Sequence, residues 1–272
     1  MLLSWLFVIL LTLFIVFIAT RNTRDPFKKE YASARPRIVF TLTTLPSRID
    51  LIDGVLKDIS KSSVRPDAVY LNIPYRSVRE DVEYEIPEHI KETCSLLGIT
   101  ILRCDDFGPA TKFYPVLEKE SPDTIMLLVD DDQRYYPNSH DEIVEYALNN
   151  PNESVGYRGV NINSGKLKYI ESGPGSVDVI ETYAGVAIRV RHLNGFKPYE
   201  RNHACFTCDD IAIHACLKKN GISRTLLAGS SYGQGGSVEH PIHHNNSVGG
   251  INPLSDENLN GRNEACALEI FN

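Results

Sequence analysis

The 272-residue sequence is short of basic charge: 28 Lys and Arg stand against 35 Asp and Glu, a formal net charge of −7. That balance argues against nucleic acid as a main partner, because neutralising a phosphate backbone takes clustered Lys and Arg. A nucleotide ligand whose charge is carried by a metal ion stays open. Cysteine is also sparse. Cys94, Cys104, Cys205, Cys208, Cys216 and Cys266 are too few for a fold stapled mainly by disulfides. No internal repeat is visible. What is present, 42% hydrophobic and 23% charged residues, suits a packed core.

The run from Leu2 to Ala19 contains no charge, and Ser4 and Thr12 are its only polar residues. It is about the minimum length that spans a bilayer core. It lacks the basic start and small-residue cleavage pattern of a removable signal peptide. The expected organisation is therefore a transmembrane anchor over residues 1–20, a polar stem over 21–36 and one catalytic-size domain over 37–272, a single-pass membrane protein. Arg21, Arg24, Lys28 and Lys29 follow the span, which favours a cytosolic domain. Enzymes anchored this way usually face the Golgi or secretory-pathway lumen. The two signals oppose each other, and both orientations stay open. Sequons begin at Asn152 and Asn245 and would matter only in the lumen.

From Arg37 onward, short β-rich runs alternate with helical spacing. RIVFTL (37–42) reads as a strand. Ser47 offers an N-cap to a helix over Ile49 to Lys61. AVYLNI (68–73) is a second strand, and Glu88 to Leu97 a helix closed by Gly98. A third strand begins at Thr100. Thr111 is placed to cap a helix carrying Phe113, Tyr114, Val116 and Leu117. TIMLLV (124–129) is a continuous apolar run, as expected of a strand buried on both faces. Four alternations predict an α/β domain with a mostly parallel sheet, whose ligands bind beyond the carboxyl ends of the strands. Beyond about Asn150 the pattern becomes strand-like and glycine-rich, and from Ala228 it reads as a loop-heavy tail.

The fourth strand runs directly into Asp130, Asp131 and Asp132. Three adjacent carboxylates repel one another unless a cation compensates them. Mg²⁺ or Mn²⁺ suits that role, since each prefers oxygen ligands and takes one or two carboxylates plus substrate phosphates. A solvated acidic turn is the alternative reading. Thr43 and Arg48 follow the first strand, and the planar fork of Arg48 suits a phosphate or a base. Lys112, read at a helix start, favours a phosphate nearby. Asp105 or Asp106 can accept from a ribose or base, or simply form a turn. Asp209 and Asp210 open the helical run IAIHACLKK, where they also serve as caps. Cys205-Phe-Thr-Cys208 lacks the second cysteine pair of a structural zinc site, so a helix-adjacent disulfide or buried thiols are expected instead.

Five ordered pieces together resemble glycosyltransferases of the GT-A fold, especially the family-2-like branch. They are TLTTLPSR (41–48), DDFGPATKFYPVL (105–117), MLLVDDDQRYYPN (126–138), VDVIETYAGVAIR (177–189) and CDDIAIHACLKKNGI (208–222). The resemblance implies a metal-dependent transfer of sugar from a nucleotide-diphosphate donor, by preference a UDP-sugar, to a glycan, protein or lipid acceptor. It implies Mn²⁺ or Mg²⁺ bound directly by Asp132. Asp130 would contact the ribose or reach the metal through water, and Asp131 either. A late histidine, His240, His243 or His244, would complete the metal shell. Asp210, with Asp209 as second choice, would be the general base of an inverting reaction. Two other readings compete. A nucleotidyltransferase or phosphotransferase would want an early glycine-rich phosphate loop, and TLTTLPSR has no glycine. A catalytically inactive, membrane-tethered binding module sits poorly with intact DDD and CDD motifs.

Overall fold

The computed structural model describes residues 35–170, 174–228, 254, 258 and 261–271. The chain divides between Pro36 and Arg37 into two units, and every element described here belongs to the second. The expected anchor at residues 1–20 lies outside the described residues. Among those described, no helix is long and apolar enough to cross a membrane.

The strands are β1 (Ile38–Thr43), β2 (Ala68–Pro74), β3 (Thr100–Cys104), β4 (Ile125–Leu128), β5 (Glu153–Gly156), β6 (Gly159–Asn163), β7 (Lys166–Ile170), β8 (Gly175–Ser176), β9 (Val179–Ile180), β10 (Val186–Arg189) and β11 (Ser223–Leu226). The helices are α1 (Asp53–Ser60), α2 (Glu88–Leu97), α3 (Tyr114–Leu117), α4 (Asp141–Asn149), α5 (Asp209–Lys219) and α6 (Arg262–Ile270). Among the described residues these strands form an eight-stranded sheet in the order β3-β2-β1-β4-β10-β5-β11-β8 and a three-stranded sheet in the order β7-β6-β9. The four strands β3, β2, β1 and β4 are parallel, while β10 enters antiparallel between β4 and β5.

The side-chain period of two explains why this sheet carries two cores. Ile38, Phe40 and Leu42 of β1, with Ile125 and Leu127 of β4, face α1, α2 and α4. Val39, Met126 and Leu128 point the other way, against Phe113, Val116, Ile213 and Leu217 of the α3 and α5 side. All four β4 residues are buried, as the unbroken apolar run required. A side chain such as Phe40 or Leu127 contributes about 1.5–3 kcal/mol by leaving water. Gly98 ends α2 in the left-handed conformation at φ 68°, the closure read from sequence.

Several local expectations are corrected. Ser47 caps no helix; its backbone N–H donates to Glu80. A short 3₁₀ turn, Ile49–Leu51, precedes α1. Thr111 does not cap α3, because its hydroxyl accepts from the Phe107 N–H inside a 3₁₀ turn, Gly108–Lys112. Lys112 therefore ends a turn instead of opening a helix. The loop-heavy tail contains α6, which sequence periodicity missed. A third apolar cluster, Val160, Val179, Cys208, Ile211, Ala267 and Phe271 among its members, joins α6 to the smaller sheet. Within it, Cys205 and Cys266 form a disulfide across 61 residues of sequence. Cys94, Cys104, Cys208 and Cys216 are free thiols.

Candidate active site

The order 3-2-1-4 reverses at β1, so a crevice opens where the β1 and β4 exits diverge, the place where ligands bind on such sheets. The loop after β1 carries Thr44 and Arg48, and the turn after β4 carries the acidic triplet. A cleft of about 730 Å³, open to solvent, lies there, and its wall includes Thr43, Arg48, Asp106, Lys112 and all three aspartates. Outside the triplet and the histidines, the sequence-chosen positions include Thr43, Arg48, Asp106, Lys112, Asp209 and Asp210, and the first four reach this cleft directly.

The triplet does not act as one cluster. Asp131 turns inward: one carboxylate oxygen accepts from Thr44 Oγ1 at 2.6 Å, and the other lies 2.9 Å from Arg48 Nη2. Burial pushes its carboxyl up to about 7, against the pull of Arg48. Asp132 lies 3.3 Å from Arg48 Nη1 and accepts from Gln133 Nε2 at 2.9 Å. Its side chain keeps 23% of its surface exposed, and burial, then the Asp130 charge, raise its carboxyl. Asp130, 25% exposed, accepts from Lys112 Nζ at 2.6 Å. Its backbone N–H donates to the Tyr135 hydroxyl at 3.0 Å, which fixes the turn.

The chain thus supplies its own cations to the triplet, where the sequence pointed to a metal alone. Lys112 is buried, and its ammonium reaches Asp130, the Thr182 hydroxyl at 2.9 Å and Asp209 at 3.1 Å. The Asp209 contact is a charge contact without a directed hydrogen bond. Two polar residues inside otherwise apolar strands explain how Lys112 is held. Asn72 Nδ2 donates to the Lys112 carbonyl at 2.9 Å, and the Thr41 hydroxyl donates to the same oxygen. Both are fully buried, and a polar residue at a core position must find such a partner.

Asp209 and Asp210 open α5, as read. Asp210 accepts from the Thr182 N–H at 3.1 Å. Burial, and next the Asp209 charge, hold its carboxyl well above the usual range. Neither aspartate borders the cleft; Lys112 does, and connects them to it. Thr43 donates to the Asn72 carbonyl at 2.8 Å. Asp106 is committed to its own loop, accepting from the Val78 and Gly108 N–H groups at 2.6 and 2.7 Å. Asp105 makes no part of the cleft wall. His240, His243 and His244 lie outside the described residues. Among the described residues no group of three or more His, Cys, Asp or Glu is arranged to hold a metal ion.

Sequence reasoning missed Thr44, Tyr84, Phe206 and Thr207, all on the cleft wall, and Thr182. Tyr84 is buried and donates to the Thr44 carbonyl at 2.7 Å, bracing the β1 loop. Phe206 faces Gly108, where a Cβ would come within 2.9 Å of its ring and φ is +62°. None of these five carries a periodic signal of its own; the legible mark was the polar pair Thr41 and Asn72 inside β1 and β2, which holds Lys112.

No family model matches the chain, and no curated protein matches it. Solved structures do. The mannosyltransferase PcManGT from Pyrobaculum calidifontis, in complex with GDP-Man and Mn²⁺, aligns with a TM-score of 0.50 at 12% identity, over 71% of this chain and 55% of that one. S. aureus TarS 1–349, in complex with UDP-GlcNAc, aligns with a TM-score of 0.51 at 12% identity, over 76% and 61%. TarS in a longer form aligns over 71% of this chain and 35% of that chain. The chain therefore spans less than two thirds of the length of each. At this identity the likeness establishes the fold, which is a GT-A-like glycosyltransferase fold.

Proposed function

We propose that the domain is a metal-dependent glycosyltransferase using a nucleotide-diphosphate sugar. The observation that carries this reading is the pair Asp130 and Asp132, about one-quarter exposed at the tip of a buried strand, where the strand order reverses beside Arg48 and Lys112. The donor set fits a hard divalent cation, because it offers carboxylate oxygens only and leaves phosphate oxygens to supply the remaining ligands. Asp130 and Asp132 would hold Mn²⁺ or Mg²⁺, while Asp131 braces the turn from below. When bound, the metal supplies Lewis-acid neutralisation of charge on the leaving diphosphate. The histidine expected to complete the shell stays a proposal on His240, His243 or His244.

Asp210 serves as general base, with Asp209 second. An acceptor hydroxyl attacks the anomeric carbon, the bond to the diphosphate oxygen breaks, and the hydroxyl proton passes to the Asp210 carboxylate. The product is inverted. A carboxyl held well above its usual range is, once deprotonated, a stronger proton acceptor than an ordinary aspartate. Because the base must start deprotonated, turnover rises with pH through that group. Thr182 orients Asp210 through its N–H and Lys112 through its hydroxyl. The Cys205–Cys266 bridge supports an oxidising compartment for the domain, which favours the lumenal orientation of the proposed anchor.

A panel of UDP- and GDP-sugars, assayed with Mn²⁺ for nucleotide release, tests the reading. Release of UDP or GDP supports it. Release of pyrophosphate favours the nucleotidyltransferase alternative, and tight binding without turnover favours the binding module. Asp132→Asn should abolish metal-dependent donor binding. Asp210→Asn should keep donor affinity and lose transfer; if Asp209→Asn does so instead, the base is misassigned.

A further inference from the structure

We infer that Lys112 and Arg48 are resident counter-cations that keep the free chain from holding a divalent metal, so that the metal enters only together with a nucleoside diphosphate. The inference rests on the proposed function and adds an order of binding to it. Its basis is that each carboxylate of the triplet already has a cation at contact distance: Asp130 has Lys112 at 2.6 Å, Asp131 has Arg48 at 2.9 Å and Asp132 has Arg48 at 3.3 Å.

Neither cation is free to step aside. The ammonium of Lys112 donates to Asp130 and to the Thr182 hydroxyl and also lies in charge contact with Asp209 at 3.1 Å. Its backbone is tied at the carbonyl by Asn72 and Thr41. Arg48 is buried between two aspartates, with side-chain exposure of only 10%. A metal arriving alone would take Asp130 from Lys112 and Asp132 from Arg48, leaving Lys112 with Thr182 and Asp209 and Arg48 with Asp131 only, and each weakened buried ion pair opposes that exchange. A diphosphate changes the exchange. Its oxygens take over the released N–H groups while the carboxylates turn to the metal. Arg48 Nε is already waiting for such an acceptor: it is buried and has no hydrogen-bond partner among the described residues, though its side chain borders the cleft. A planar guanidinium also suits phosphate oxygens.

The test follows Mn²⁺ by loss of its free-ion paramagnetic resonance signal, with the full chain, alone and with UDP or GDP, each corrected by a protein-free titration. Wild type should bind Mn²⁺ at least ~10-fold more tightly with nucleotide than without, and by reciprocity the nucleotide should gain the same factor from Mn²⁺. Lys112→Met should bind Mn²⁺ without nucleotide, and Mn²⁺ should raise its melting temperature, whereas Lys112→Arg should behave as wild type. Equal Mn²⁺ affinity of wild type with and without nucleotide overturns the inference and leaves the proposed function standing. A folded Lys112→Met with no gain in Mn²⁺ affinity also overturns it. If wild type binds neither ion nor nucleotide under any condition, the proposed function falls and the inference falls with it. The wild-type comparison needs no variant, so it decides the matter even if Lys112→Met does not fold.

Discussion

Arg48 and Lys112 are both buried cations against aspartates of one triplet, yet they tie together different parts of the molecule. Arg48 comes from the loop after β1 and pairs with the turn after β4, so it closes a crevice inside the parallel half of the sheet. Lys112 comes from the turn Gly108–Lys112 and joins that half to Asp209 and Thr182, which belong to the later half. Their partners also differ in what they can do alone. Asp131, pushed up to about 7 by burial, can take up a proton if its cation is lost. The carboxylates around Lys112 crowd one another, with Asp209 buried and Asp210 beside it. Equal charge therefore does not mean equal consequence: one cation completes a loop, the other holds two halves at one site.

The largest effect expected from breaking this comparison is on Lys112. Lys112→Met should destabilise the domain by about 3–5 kcal/mol in urea denaturation, the usual cost of stranding buried partners. Arg48→Met, measured at pH 6, should cost clearly less, because Asp131 is then largely protonated. Equal losses would erase the distinction. Reduction of the Cys205–Cys266 bridge, which belongs only to the later half, should cost about 4 kcal/mol by loop-closure entropy, and should expose amides of α6 to hydrogen exchange before those of β1 and β4. Simultaneous exposure of both halves would show that Lys112 and the sheet make them one cooperative unit.

The effect that is smallest near neutrality sits beneath the parallel half. His140 is buried against the rings of Phe40 and Tyr135, and neither ring nitrogen has a hydrogen-bond partner among the described residues. Burial lowers its pKa to about 3. Above pH 6.5 it is neutral folded or unfolded and has no effect. Between about 6.5 and 3 the unfolded chain binds the proton and the folded chain does not, so stability falls as the pH falls. His140→Phe should remove about 1.4 kcal/mol per pH unit from that acid slope. An unchanged slope would mean that the ring is protonated in the folded state.

Much of the parallel half was legible because its signals are local. The alternating faces of β1, the unbroken run of β4, the αL glycine at Gly98 and the acidic pair opening α5 are each written within a few adjacent residues. The later half was harder. Its strands are short, its smaller sheet pairs β6 with β7 and β9, and α6 carries too few apolar residues in register to announce itself amid glycine-rich sequence. The sequence admitted a helix-adjacent disulfide at Cys205 without naming its partner; Cys266 was chosen by packing across 61 residues.

The same division holds at the site. Sequence by itself determined that carboxylates stand at the tip of a buried strand and that basic residues lie after the first strand and at the end of GPATK, because side-chain chemistry and strand periodicity are local properties. Only the tertiary structure decided that Asp131 turns inward, that Arg48 and Lys112 divide the triplet between them, and that Thr182 and Asp209 meet Lys112 from 70 or more residues away. Which charges meet depends on how strands are ordered in a sheet, and a contact between distant segments leaves no periodic trace in the chain.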